Sequence, residues 1–420
     1  MLNPLENKHL LLGITGSIAA YKAADLASRL TQAGAQVDVI LTQSALQFIT
    51  PLTFQSVTGR KAYTDSDLWG GQAHILHVGM GHSADLLIIA PCSANTIAKL
   101  AHGIADNLLS ITALAMRNQL LIAPAMDVGM YSHPATQANV EILRQRGVNF
   151  VGPVEGRMAS GLVGLGRFVE PAEIFGHIRL ALAKDGPLAG KKVVVTAGGT
   201  QEPIDPVRVV ANRSSGKQGF ALAQAALDLG ASVILIAGPV GLVTPVGAHR
   251  RDVHTAQEMF EAVLAETSDA DVLLMAAAVA DFRPATPAGQ KIKKEGGIPT
   301  INLERTPDIL GAVAARKSAS GVSKELSRPL VVVGFAAESE SLIENAQRKL
   351  DAKKLDLIVA NDISASDAGF AVDTNRVTLL DASGVESLPL MGKDEVAEAV
   401  LARVVKILGG SHGHASPSTG

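Results

Sequence analysis

Residues 10–41 read LLLGITGSIAAYKAADLASRLTQAGAQVDVIL. An apolar run at 10–14 breaks into Thr15-Gly16-Ser17, and a helical pattern follows over 18–33. Gly34 ends it, and a second apolar run fills 37–41. Strand, glycine turn, helix, glycine and strand in that order predict a βαβ unit. The order returns later in the chain. Residues 193–195 run into Thr196-Ala197-Gly198-Gly199-Thr200, and after an insertion come a helix over 219–229, Gly230 and a strand over 232–237. Two such openings predict an α/β chain of two doubly wound, Rossmann-like domains, not one large sheet. Further strands are expected at 86–90, 120–123, 272–276, 330–334, 357–360 and 377–380, with a closing helix over 393–408. Periodicity stops at 183–192 (AKDGPLAGKK), which divides the chain into 1–187 and 188–408. The polar stretch 409–420 (GGSHGHASPSTG) is expected to be a disordered tail.

Composition narrows the function classes. Among 420 residues, 37 Lys and Arg face 40 Asp and Glu, a net charge of −3. That balance argues against a dedicated nucleic-acid binder, which needs a basic surplus. Hydrophobic residues make up 47% of the chain but aromatic ones only 3%, so the core must come from Ala, Val, Leu and Ile, as parallel sheets require. Cys92 is the one cysteine, which rules out an internal disulfide and fits a reducing cytosol. No apolar run approaches the roughly 20 residues of a membrane span, and no secretory signal opens the chain. A cytoplasmic protein without membrane partners is expected.

In the first half, residues 13–22 form a glycine turn opening a helix, where backbone amides can meet an anion. Thr42-Gln43-Ser44, Pro91-Cys92-Ser93-Ala94-Asn95-Thr96 and Pro124-Ala125-Met126-Asp127 each follow a predicted strand, at the edge where open α/β sheets place ligands. Hydroxyls and amides with little charge suit a neutral ring bearing one phosphate. The combination of GSIAAYK (16–22), PCSANT (91–96), GIADNLL (103–109) and PAM (124–126) resembles the homo-oligomeric flavin-containing cysteine decarboxylases, and more closely the phosphopantothenoylcysteine decarboxylase domain. The resemblance implies a flavodoxin-like fold with FMN across a subunit interface, Gly16 and Ser17 on its phosphate, and Ser44, Ser93, Asn95 and Thr96 lining the rest. It also makes His74, in His74-Ile75-Leu76, the base that takes the substrate's thiol proton while hydride leaves for the flavin. The thioaldehyde so formed accepts the electrons released with CO2, and the enethiolate left behind is re-reduced and protonated.

Two departures from that family stand out. Asp127 replaces the asparagine of its PAMN motif, and Tyr131 the tryptophan that usually follows. An ionised aspartate repels a substrate carboxylate unless its pKa is raised. In the expected mobile flap, residues 156–171, Ser160 stands where the family has its proton-donating cysteine. A hydroxyl is a far weaker acid than a thiol of pKa about 8.5. Cys92 is expected to pack, not to substitute.

In the second half, Gly198-Gly199-Thr200 can cradle a triphosphate through backbone amides, although neither a Walker loop nor a G-x-G-x-x-G fingerprint is present. The insertion 201–217 concentrates Arg208, Asn212, Arg213 and Lys217. Asp281 leaves a strand and suits a metal ion or ribose, and Lys291 lies in a basic, glycine-rich loop. These segments, with Gly334-Phe335-Ala336-Ala337-Glu338 and Ala360-Asn361-Asp362, resemble the CTP-using phosphopantothenate–cysteine ligases. The resemblance implies that the 4′-phosphopantothenate carboxylate attacks the α-phosphorus of CTP, and that the L-cysteine amine then displaces CMP. Asn212 would hold the acyl-cytidylate, Lys291 would offset negative charge, and Asp281 would meet nucleotide or Mg2+. Met275, Ala276, Ala277, Pro307, Asp308, Ile309, Leu310, Phe335, Lys349 and Lys353 would form the CTP pocket.

Taken together, the two resemblances imply a fused two-step enzyme in a homo-oligomer, with a trimer-based amino half and a dimeric ligase half, up to a dodecamer. Two other readings stay open on the residues alone. One is an active ligase fused to a flavin-binding but catalytically impaired assembly domain. The other is a nicotinamide-dependent oxidoreductase, which the missing dinucleotide fingerprint weakens.

Overall fold

The computed structural model describes residues 3–69, 75–293, 299–319, 329–338, 342–362 and 373–410. The chain divides into two compact units, Asn3–Leu182 and one beginning at Ala183.

The first unit is built on six parallel strands: β1 (His9–Ile14), β2 (Gln36–Leu41), β3 (Ala62–Thr64), β4 (Leu86–Cys92), β5 (Gln119–Pro124) and β6 (Asn149–Phe150), in the order β3-β2-β1-β4-β5-β6. Alternation along each strand assigns two cores. Leu10, Leu12, Ile14, Val37, Val39 and Ile88 point to one face, and Leu11, Ile40, Leu87 and Ile89 to the other. Continuous apolar strands are what a sheet covered on both faces needs. The helix Ala20–Gln32 buries Ala20, Ala23, Leu26, Ala27 and Leu30, a stripe at helical spacing, against the first of these cores. Beyond β6 the expected flap is an antiparallel hairpin, β7 (Val154–Arg157) with β8 (Val163–Arg167).

The second unit repeats the plan. Its strands are β9 (Lys192–Ala197), β10 (Gln201–Pro203), β11 (Val209–Ala211), β12 (Ser232–Ala237), β13 (Ala248–Asp252), β14 (Val272–Met275), β15 (Phe282–Pro284), β16 (Leu303–Arg305), β17 (Val331–Glu338), β18 (Leu357–Asp362), β19 (Thr374–Asn375), β20 (Val377–Asp381), β21 (Gly384–Ser387) and β22 (Met391–Gly392). The main sheet runs β13-β12-β9-β14-β17-β18-β20-β21. Its first six strands are parallel, in the same order as in the first unit. β20 and β21 add an antiparallel edge. The insertion 201–217 and the Lys291 loop leave the sheet on two small hairpins, β10 with β11 and β15 with β16.

One expectation changes. The last helix runs Lys393–Gly410, two residues beyond the expected end, because nothing in Gly409-Gly410 forbids another turn. Residues 411–420 lie outside the described residues. Segment 183–191, where periodicity stops, packs on the second unit. Leu188 is buried, its N–H donates to the Leu229 carbonyl at 2.8 Å, and the Ser232 N–H donates to the Lys191 carbonyl at 2.9 Å. No helix among the described residues is long and apolar enough to cross a membrane.

Candidate active sites

In the first unit the sheet order reverses its direction of growth at β1 and β4, which opens a crevice at their carboxyl ends. Thr15, fully buried, ties the two exits together. Its hydroxyl donates to the Pro91 carbonyl at 2.8 Å and accepts from the Ser93 N–H at 2.9 Å. Gly16 meets the turn after β2 so closely that an added Cβ would lie 2.6 Å from Ser44 Cβ. Gly16, Ser17, Ser44 and Ser93 are thereby brought together. Ser93 caps the helix Ala94–His102 by accepting from the Thr96 N–H at 3.3 Å, and the Ser93 hydroxyl donates to Thr96 Oγ1 at 3.2 Å. Thr96 is consequently buried, while Ser44 and Asn95 are exposed. A crevice of small residues, hydroxyls and backbone amides fits a flavin phosphate and ring, and the close approach at Gly16 leaves no room there for any side chain.

The exit of β5 carries Asp127, which caps the helix Val128–Ser132 by accepting from the Gly129 N–H at 3.0 Å. Its other oxygen accepts from the Ser160 hydroxyl at 2.7 Å. These two bonds hold the Asp127 carboxyl below the usual carboxylate range, Ser160 contributing most. The residue is therefore ionised at neutral pH, the condition that repels a substrate carboxylate. Ser160 sits at the tip of the β7–β8 hairpin, and the Met126 N–H donates to the Gly166 carbonyl at 3.0 Å, so the flap is seated on the Asp127 loop. At its base Glu170 accepts from Lys22 at 2.7 Å and from Arg167 at 2.8 Å. Cys92 is buried in the core, where desolvation pushes its thiol up, and Tyr131 is buried beside it in the same cluster. His74 lies outside the described residues.

The second unit holds a cavity of about 920 Å³ at the carboxyl ends of β14, β17 and β18. Met275, Ala276, Ala277, Asp281, Pro307, Asp308, Ile309, Leu310, Phe335, Lys349, Lys353 and Asn212 all border it. Six Lys or Arg against two Asp make its described lining electropositive, which suits a polyanion. Asn212 donates to the Val279 carbonyl at 2.9 Å, anchoring the insertion to the segment after β14. Lys353 pairs with Asp308; burial raises the Asp308 carboxyl, but that ammonium and the Gly311 N–H outweigh it and keep the group ionised.

Five expected residues, Gly198, Gly199, Thr200, Arg208 and Lys291, are not on this wall. Gly198, Gly199 and Thr200 are used for the unit's own packing. A Cβ on Gly199 would meet the Asn212 carbonyl at 2.8 Å, and the fully buried Thr200 hydroxyl accepts from the Ala280 N–H at 2.9 Å. Arg208 forks onto Asp205 at 3.0 and 2.6 Å and donates to the Ile292 carbonyl at 2.7 Å, while the Ile292 N–H donates back to Asp205 at 3.1 Å. Burial alone would raise Asp205, yet these donors hold it far below the ordinary range. Arg208 thus staples the loop that carries the exposed Lys291. The turn that does border the cavity is Ser214-Ser215-Gly216-Lys217, at the start of the helix Lys217–Asp228.

Known proteins match both units. A family model described as "Flavoprotein" matches residues 2–182, and one described as "DNA/pantothenate metabolism flavoprotein C-terminal domain" matches 188–408. The Coenzyme A biosynthesis bifunctional protein CoaBC of Bacillus subtilis (strain 168) is 46% identical over 407 residues, covering 96% of this chain and 98% of that relative. The chain belongs to the family of bifunctional coenzyme A biosynthesis proteins. The CoaBC of Escherichia coli (strain K12) is 42% identical over 410 residues, 96% of this chain and 97% of its own. A solved structure, the C-terminal domain of a Coenzyme A biosynthesis bifunctional protein CoaBC, is 38% identical, covers 53% of this chain and 98% of its own, and superposes with a TM-score of 0.43.

In this member of the bifunctional family, sequence reasoning missed Thr15, Ser214, Ser215 and Lys393. A buried threonine and a serine pair before Gly-Lys carry no distinctive spacing. Lys393 heads a helix whose partner in space lies far away in the chain, so only the fold brings it to the cavity.

Proposed function

We propose that the chain catalyses two consecutive steps of coenzyme A biosynthesis: condensation of 4′-phosphopantothenate with L-cysteine at the expense of CTP, then FMN-dependent decarboxylation of 4′-phosphopantothenoylcysteine to 4′-phosphopantetheine. The observation that carries the first step is the electropositive cavity bordered by Asn212, Asp281, Lys349 and Lys353. Spread phosphate charge calls for fixed cations, not a covalent nucleophile. Asn212 holds the acyl-cytidylate with its remaining amide capacity, and Lys291 closes over the reacting phosphates from its stapled loop. Asp281, exposed at the cavity edge, would hold Mg2+, which would offset phosphate charge there.

For the second step, the chemistry that FMN supplies when bound is reversible hydride transfer. The residues of the crevice do the rest. Gly16, Ser17, Ser44, Ser93 and Asn95 bind and orient the flavin, while Thr96 backs Ser93. His74 accepts the substrate's thiol proton, and a histidine titrates near working pH. Ser160 delivers the last proton, with Asp127 as its hydrogen-bond partner. The exposed Ile18, Tyr21, Phe48, Leu52 and Trp69 of the first unit support assembly into a homo-oligomer, which native mass spectrometry of the full chain tests.

The deciding experiment follows CMP and CO2 release from 4′-phosphopantothenate, L-cysteine and CTP. Both products are expected, CO2 only when FMN is bound. CMP release without CO2 from a yellow protein would reduce the first unit to a flavin-binding assembly domain, and the absence of CMP would remove the ligase assignment.

A further inference from the structure

We propose that Lys393 is a further cation of the ligase cavity and, with the amino end of the helix Lys217–Asp228, holds a phosphate group of a bound substrate. This rests on the ligase reading above. Lys393 is only 7% exposed and borders the cavity. Among the described residues its ammonium has no hydrogen bond, and the carboxylate that acts on it, Asp373, is already paired with Lys217. Burial and the Lys217 charge push this ammonium down.

The position is adverse for the fold. Lys393 is the first residue of the helix Lys393–Gly410, where the helix dipole is positive and a basic side chain is disfavoured. Burying an amine there adds a desolvation cost. Asp394 and Glu395 in the same turn are exposed, and Glu395 is used in accepting from the Gly392 N–H at 2.7 Å. A bound anion would offset both costs.

The neighbouring helix start supplies the complement. Gly216, with φ of 75°, turns the chain into the helix Lys217–Asp228, and residues 216–219 border the cavity. Gln218 joins the two helix starts by donating to the Lys393 carbonyl at 3.1 Å, and the Lys393 N–H donates to the Asp373 carbonyl at 3.0 Å. Two helix amino ends and two lysines therefore converge beside the exposed Asp373. Phosphate is the chemistry that such an arrangement recognises. The cavity's substrates offer two sources, the terminal phosphates of CTP and the monoester of 4′-phosphopantothenate.

The test is calorimetric binding to full-length K393M and wild type, with CTP, CMP, 4′-phosphopantothenate and pantothenate as probes. Loss of one charge-assisted contact predicts about tenfold weaker CTP binding with CMP changed by less than about twofold. A similar loss confined to 4′-phosphopantothenate, with pantothenate unchanged, assigns the phosphate to the acid substrate instead. K393R is expected to restore most of the affinity. Unchanged binding of both phosphorylated probes by folded K393M overturns the proposal while leaving the ligase reading intact. Failure of the wild type to bind CTP takes down both. Should K393M not fold, reductive methylation of wild type read by mass spectrometry decides: either phosphorylated probe should protect Lys393, and protection by neither overturns the role.

Discussion

Asp127 and Ser160 stand where this family usually has an asparagine and a cysteine, and in the structure they are bonded to each other. A hydroxyl aimed at an ionised carboxylate is a poor acid, so the last protonation should be the slow step of decarboxylation. Ser160→Ala is expected to release CO2 while product thiol formation falls by about a hundredfold, the low end of the usual weight of a positioned acid, since a hydroxyl is a weak one. Ser160→Cys should exceed wild type. Parallel assays of CO2 and 4′-phosphopantetheine check this, and an Ala variant making product at the wild-type rate removes Ser160 from the reaction. The Asp127 carboxyl is held low, so its bond to Ser160 persists above the ordinary carboxylate range and is lost as pH falls through that lowered value. Both substitutions could be read in the sequence. That they contact each other could not, because 33 residues and a hairpin separate them.

At the scale of elements, buried ion networks fix loops and strands. Asp205 gathers five donors and thereby holds both Arg208 and the Lys291 loop. Asp205→Asn should release that loop and reduce CMP formation by about tenfold, leaving decarboxylation of supplied 4′-phosphopantothenoylcysteine unchanged. Equal loss of both activities would indicate general misfolding instead. In the first unit Asp38 accepts from His9 at 2.7 Å and from Arg60 at 2.7 and 3.0 Å. Burial raises the Asp38 carboxyl, but these partners bring it below its ordinary range, and the bond to Asp38 raises His9. The Asp38 contribution is present above the ordinary carboxylate pKa and is lost as pH falls through the lowered one. The His9 contribution is full below about pH 6.5 and fades as pH rises through the raised value. Asp38→Asn should cost about 3 kcal/mol, largest in the mildly acidic window between those limits, as urea titrations across pH would measure.

For the whole molecule, the parallel order recurs in both units; the first has its crevice at the exits of β1 and β4, where the order reverses, and the second its cavity at the exits of β14, β17 and β18. The boundary is sharper in space than along the chain. Residues 183–191 lie where periodicity stops, and they pack on the second unit through Leu188 and a Cβ-free contact of Gly186 with the Leu229 carbonyl. A fragment of residues 183–420 should therefore be more stable than one of 192–420, by about 2 kcal/mol for the lost Leu188 side chain. Equal urea midpoints would show that the segment adds nothing to that unit's stability.

Apolar strands, glycine turns and the two βαβ openings were legible one after another because each depends on neighbours within a few residues. Periodicity alone therefore established two α/β units, while most of the cavity wall was named through the resemblance to the ligases. The bond between Asp127 and Ser160, the diversion of Arg208 to Asp205, the packing role of Gly198 to Thr200 and the arrival of Lys393 at the cavity came only from the folded chain. Each is a contact between segments distant in sequence, and a polar side chain's partner is set by where the sheets and hairpins carry it, not by the residues beside it.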